Sequence, residues 1–180
     1  MERVVCVATE ADARGVAEVV VFTWRVIYKG IISDDGLASL SIAERERCWR
    51  ERLRGNDLDS ADWTTLVCKI GGKIIGFTTH RPCGDEDKDR GSVGELLAIY
   101  LLPEYWGKGI GKQMLDEVIK LFQQQGVSEV SLWVIESNQR ARRFYELAGF
   151  QSDGVKKSET KLGTSVVLMR YVYRLSSKHQ

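Results

Sequence analysis

Histidine is nearly absent from this chain of 180 residues: there are two, His80 and His179, and the second sits in the tail. A histidine-based zinc site is therefore not expected, and no metal is assigned. Cysteine is sparse as well. Cys6, Cys48, Cys68 and Cys83 are far apart and lack the paired spacing of a metal cluster or a disulfide framework. Reduced thiols in a cytoplasmic protein are the expectation. Charge of one sign is also missing: 26 basic and 25 acidic side chains leave a formal net charge of +1, so nothing calls for a nucleic acid as partner. No apolar run approaches the length of a membrane span, and the start, from Met1 to Cys6, has no apolar stretch behind a basic one. No signal peptide and no membrane association are expected.

What is present is enough to fold. Hydrophobic residues make up 43% of the chain and charged ones 28%, which suits a packed core rather than disorder or a fibre. The length suits one domain over 1–180. Arg3 to Ala8 reads as a strand, and Thr9 as the cap of a helix from Ala11 to about Tyr28 with Val16, Val19, Val20 and Ile27 at helical spacing. Ser41-x-x-Glu44 has the form of a capping box for a second helix reaching about Arg54. Gly55 to Asp62 is a polar connector. Thr64 to Ile70 and Lys73 to His80 form a hairpin about Gly71-Gly72, which places His80 at a strand end. A mixed-charge loop over Gly84 to Gly91 follows, with acids near Asp85 to Asp89 that would suit a cationic substrate if they are not merely solvated. Val93 to Leu102 is a strand, about Ile110 to Gln125 a helix, Glu129 to Ile135 a strand, and Asn138 to Ala148 a helix with Gly149 as its C-cap. A strand and turn begin at Phe150, and Ser165 to Arg174 is the last strand. The order is that of a mixed α/β sandwich.

Three glycines at alternate positions, Gly107, Gly109 and Gly111, join a strand to a helix. Glycine admits positive φ and close approach of the backbone. The following helix offers free N–H groups and the positive end of its dipole, so the turn can cradle a pyrophosphate, with Lys108 and Lys112 adding charge. The same pattern also serves as a plain tight turn. It is not a Walker loop, because no Gly-Lys-Ser/Thr closes it, and it is not the G-x-G-x-x-G dinucleotide fingerprint.

The stretch from Glu95 through Leu101 to Lys112 resembles the cofactor motif of the GNAT superfamily, Gln/Arg-x-x-Gly-x-Gly/Ala, with Trp106 standing where the pattern has Gln or Arg. Downstream, Asn138-x-x-Ala141-x-x-x-Tyr145-x-x-x-Gly149-Phe150 resembles the Asn-x-x-Ala-x-x-x-Tyr-x-x-x-Gly-Phe helix of the same family. Asn138, Ala141 and Tyr145 share one helical face. The resemblance spans about Val93 to Phe150, with support from the hairpin before it and from Trp24, Arg25, Tyr28, Lys29 and Gly30. It implies the GNAT fold, a mixed and mostly antiparallel sheet of about seven strands flanked by about four helices.

The resemblance further implies an N-acetyltransferase that uses acetyl-coenzyme A. Ile99, Tyr100 and Leu101 would pair with the pantetheine arm as an added strand, with a backbone N–H, that of Ile99, polarising the thioester carbonyl. The turn Trp106, Gly107, Lys108, Gly109, Ile110, Gly111, Lys112 would hold the pyrophosphate, and Asn138, Ala141 and Tyr145 would face the cofactor. Tyr145, a phenol protonated at neutral pH, is the candidate general acid for the leaving sulfur. Glu95 is the candidate general base, direct or through a water. It is read as sharing a strand face with Leu97, Ile99 and Leu101, since side chains alternate. Trp24 and Tyr28 are candidates to line the amine pocket, although their spacing equally suits helix packing. Trp133 is read as core packing. The acceptor expected is a small amine: a polyamine, an amino sugar or an amino acid. A protein N-terminus or lysine, or a cofactor-binding module without catalysis, stays open. Family habit allows a homodimer through the last strands.

Overall fold

A valine-rich stretch forms β1 (Arg3–Val7), and beyond it Thr9 donates its N–H to Asp12 Oδ2 at 2.9 Å. A single 3₁₀ turn, Glu10–Asp12, runs into α1 (Ala13–Ile27), whose Val16, Val19 and Val20 are buried as their spacing predicts. The protein is seen here as a computed structural model that describes residues 3–54 and 63–175, so the connector read at Gly55 to Asp62 and the tail histidine His179 lie outside the described residues. Between α1 and the helix expected at Ser41 lies an additional short helix, α2 (Asp34–Ala38), capped by Ser33 Oγ, which accepts from Gly36 N–H at 3.2 Å. One turn carries too few apolar residues to show a period. In α3 (Ile42–Leu53) Ser41 Oγ accepts from Glu44 N–H at 3.3 Å, as the capping pattern requires, and Trp49 and Leu53 are buried.

The remaining elements follow the expected order: β2 (Thr64–Ile70), β3 (Lys73–Pro82), β4 (Val93–Leu101), α4 (Ile110–Gln124), β5 (Glu129–Ile135), α5 (Gln139–Leu147), β6 (Gln151–Lys161) and β7 (Thr164–Arg174). They form a seven-stranded sheet in the order β1-β2-β3-β4-β5-β7-β6, antiparallel except where β4 meets β5. Val16 and Val20 of α1 and Trp49 of α3 pack with Phe77 and Tyr100 on one face. Leu115, Val118 and Phe122 of α4 and Tyr145 of α5 pack with Leu96, Leu132 and Tyr171 on the other. Because β3 continues to Pro82, His80 is an interior residue rather than a strand end; it is buried against Phe122, with ring centroids 5.1 Å apart. Among the described residues no helix is long and apolar enough to cross a membrane.

Two irregularities in β4 prepare the site. The parallel ladder with β5 stops at Leu96 opposite Leu132, and the strands part beyond it. Across β3, Thr79 pairs with Ala98 but His80 pairs with Leu96, so Leu97 is an extra residue, a β-bulge. An extra residue reverses the alternation of side chains on one side of it. Glu95 therefore lies on the face of Ala98 and Tyr100, beneath α1 and α3, and not with Ile99 and Leu101 as strict alternation predicts. Gly94, its neighbour, points the other way, where a Cβ would come within 2.4 Å of Phe122 in α4.

Candidate active site

Where β4 and β5 part, a cleft of about 560 Å³ opens, walled by Ile99 and Leu101 on one side and by α5 on the other. Leu102 N–H donates to Ile75 C=O at 2.8 Å, which turns that residue toward β3. Backbone groups alternate along a strand, so the amides of Ile99 and Leu101 face the cleft. An extended chain with amide groups can pair there as a strand would.

The glycine turn lies at the cleft's mouth. Gly107 and Gly109 have φ of 71° and 74°, a left-handed conformation that other residues seldom take, and beside neither would a Cβ meet anything within 4 Å. Gly109 caps α4, so the N–H groups of Ile110, Gly111 and Lys112 have no partner inside the helix and sit at its positive end. These features fit a pyrophosphate. The side chains contribute less. Ile110 is buried in the core, Lys108 Nζ folds back to Glu104 C=O at 2.9 Å, and Lys112 Nζ pairs with Asp116 at 2.7 Å. Trp106 does not imitate the Gln or Arg of the motif; its Nε1–H donates to Leu101 C=O at 2.6 Å, tying the turn to the end of β4.

The second motif lines the opposite wall. Asn138 caps α5, its Oδ1 accepting from Ala141 N–H at 3.1 Å, and Asn138, Ala141 and Tyr145 all face the cleft. Tyr145 is 9% exposed and packs edge-on against Phe144 and Phe150. Its hydroxyl bonds to no described residue. Burial, with the Tyr100 phenol nearby, raises its pKa above the ordinary tyrosine value, so it stays protonated and able to donate at neutral pH.

On the other face of the sheet Tyr28, the C-cap of α1, brings its hydroxyl to 3.2 Å from that of Tyr100. Trp24 stands edge-on to Tyr28 at 5.0 Å. The Trp24 N–H lies close enough to Tyr100 to act on its pKa, but it is buried without an acceptor in hydrogen-bond geometry. Burial raises the pKa of Tyr28 well above the ordinary value, and Tyr100 and Tyr145 add to the rise. The three phenols thus gather where the strands part. Glu95 is buried on this face. Its Oε2 accepts from Arg81 Nε at 2.9 Å and from Gly84 N–H at 3.3 Å, while Oε1 bonds to no described residue.

Asp85 and Asp87 are not free for a cationic ligand. Arg170, 3% exposed, donates from Nε to Asp153 at 2.7 Å and from its terminal nitrogens to Asp85 and Asp87. Trp133, read as core packing, is half-buried. It packs against the core cluster of Ile135, Val166 and Leu168 as read, and in addition its Nε1–H donates to Asp85 at 3.1 Å and Lys157 lies over its ring, so it joins the core to this network. Residues of the cleft that motif reading passed over are Thr23 and Ile27 of α1, and Arg140, Arg143, Phe144 and Leu147 of α5. Arg140, Phe144 and Leu147 are at i, i+4 and i+7, a spacing that would have flagged them as one face beside the motif.

The sequence pattern of the Acetyltransferase (GNAT) family matches residues 31–150. An uncharacterized N-acetyltransferase of Bacillus subtilis, YuaI, is 33% identical over 161 residues, which is 84% of this chain and 87% of that protein. A spermidine N(1)-acetyltransferase of Thermoplasma acidophilum is 30% identical, covering 82% of this chain and 88% of the relative. Among solved structures, the PaiA N-acetyltransferase of Thermoplasma acidophilum in complex with coenzyme A superposes with a TM-score of 0.74, at 26% identity over 94% of this chain and 98% of that one.

Proposed function

The chain belongs to the GNAT family of acetyltransferases, and from that membership we propose that it moves the acetyl group of acetyl-coenzyme A directly to the primary amine of a small molecule, a polyamine, amino sugar or amino acid. The observation that carries the small acceptor is a roof over the acceptor face. Ser33 N–H donates to Thr164 Oγ1 at 3.0 Å, and Gly36 packs so tightly on the β6–β7 turn that a Cβ would come within 2.6 Å of Leu162 C=O. This joins the segment after α1 to the far hairpin and leaves little room for a protein chain to lie across the site. Similarity to a spermidine acetyltransferase over most of both chains favours a polyamine within that class.

In this reading the thioester supplies the acetyl group and the chain supplies position and protons. Pairing along the free edge of β4 holds the donor, and Ile99 N–H polarises the carbonyl as charge develops on its oxygen. Glu95 takes the proton of the amine through a water at Oε1 as the C–N bond forms. Tyr145 gives its proton to the sulfur as the C–S bond breaks. Trp24, Tyr28 and Tyr100 line the amine pocket.

The test is thiol release from acetyl-coenzyme A against a panel of polyamines, amino sugars, amino acids and N-terminal peptides. Turnover with a small amine, saturable at ordinary substrate concentrations, supports the reading. Turnover confined to peptides would replace it with protein acetylation.

A further inference from the structure

α5 breaks an electrostatic rule at the mouth of the cleft. Helix N-termini favour acids, because the dipole is positive there, yet the first turn of α5 holds none and carries Arg140 as its second residue. Among the described residues no carboxylate pairs with Arg140 to offset this. Instead its guanidinium lies 3.8 Å from the centroid of the Trp106 ring. Trp106 follows β4 and Arg140 follows β5, so the stack spans the two walls of the cleft, and both residues line it. The platform is itself held, by the bond from Trp106 Nε1–H to Leu101 C=O at 2.6 Å.

A guanidinium held over an aromatic face makes its cation–π contact through the ring and leaves its N–H groups available to bind an anion. Stacking also removes rotamer freedom that would otherwise be lost on binding. The unpaired charge, the unfavourable helix position and the fixed platform converge on one account. We infer that Arg140 is a phosphate-binding residue of the donor site, set in place by Trp106 and aimed at a phosphate that enters beside the glycine turn. The inference rests on the reading that coenzyme A is the donor, which offers two such groups, the pyrophosphate and the 3′-phosphate. The backbone cradle and Arg140 then hold the donor from opposite walls.

Calorimetric titration of coenzyme A and of 3′-dephospho-coenzyme A into the wild type, Arg140→Ala, Arg140→Lys and Trp106→Leu tests it. Arg140 is exposed, so its loss leaves the fold intact. Arg140→Ala should weaken coenzyme A by about tenfold to a hundredfold, the usual range for a charge-assisted hydrogen-bonded contact. Arg140→Lys should restore only part of this, since an ammonium neither stacks nor forks. Trp106→Leu should cost clearly less in the Arg140→Ala background than in the wild type, because the stack it removes is already gone there. Equal loss for both ligands assigns the pyrophosphate, and loss confined to coenzyme A assigns the 3′-phosphate; either supports the inference. A change under about twofold for both ligands in Arg140→Ala would overturn it. No acceptor is needed, so failure here is separate from failure of the amine reading.

Discussion

The hydroxyls of Tyr28 and Tyr100 meet at 3.2 Å, joining the end of α1 to the end of β4. Removing either hydroxyl strands the other in a buried setting, which costs about 1–2 kcal/mol. Tyr28→Phe and Tyr100→Phe should each destabilise by that amount in urea titrations, and the double variant by less than their sum. Each should raise KM for the amine by roughly tenfold, the equivalent of one such bond, and leave KM for acetyl-coenzyme A alone. Equal shifts in both constants would remove the pair from the acceptor pocket.

Tyr145→Phe keeps the ring packing and deletes the proposed proton donor. The rate of a single turnover should drop by about a hundredfold or more, the range for general acid catalysis, with donor affinity little changed. Full retention of the rate would end the general-acid assignment.

Glu95→Gln leaves the hydrogen-bonding shape near Arg81 but cannot accept a proton. Turnover with an amine substrate should fall by about a hundredfold at neutral pH and recover as pH approaches the pKa of the free amine. A pH profile identical to the wild type would show that another group is the base.

Stability should fall in mild acid. Burial lowers the pKa of His80 to about 4, against about 6.5 in an unfolded chain. The unfolded state then binds the extra proton first, so the contribution is full above pH ~6.5 and is lost as pH falls toward ~4. The loss should amount to about 3 kcal/mol. Burial would raise the pKa of Asp12, but bonds from Lys69 and Thr9 outweigh it, so Asp12 contributes its own loss only at still lower pH. Urea titrations across this window check the slope, and His80→Leu should flatten it.

Arg170→Gln should destabilise by about 3 kcal/mol, because Asp85 and Asp153 keep their charges without the cation that offsets them. The same titrations read the loss. Limited proteolysis should then cut the loop over residues 84–91, which Arg170 ties to β7.

The local features of the sequence largely determined the elements and the two motif-bearing walls of the cleft. Capping at Thr9 and Ser41, the turn at Gly71-Gly72 and the apolar faces of α1 and α4 act within a few residues, and the glycine turn and the α5 motif are each contiguous. Their physics is local, so it is readable in order along the chain. Three matters were decided only by the tertiary structure. The bulge at Leu97 moved Glu95 to the face of Tyr100, because register depends on the partner strand and strict alternation cannot reveal an extra residue. Arg170 took up Asp85 and Asp87, a pairing across more than eighty positions that no spacing rule connects. Arg140 came to rest on Trp106 because β4 and β5 part where their ladder ends, and Tyr28 on Tyr100 because α1 packs across β4. Which side chains meet from elements so far apart in sequence is a property of packing in three dimensions.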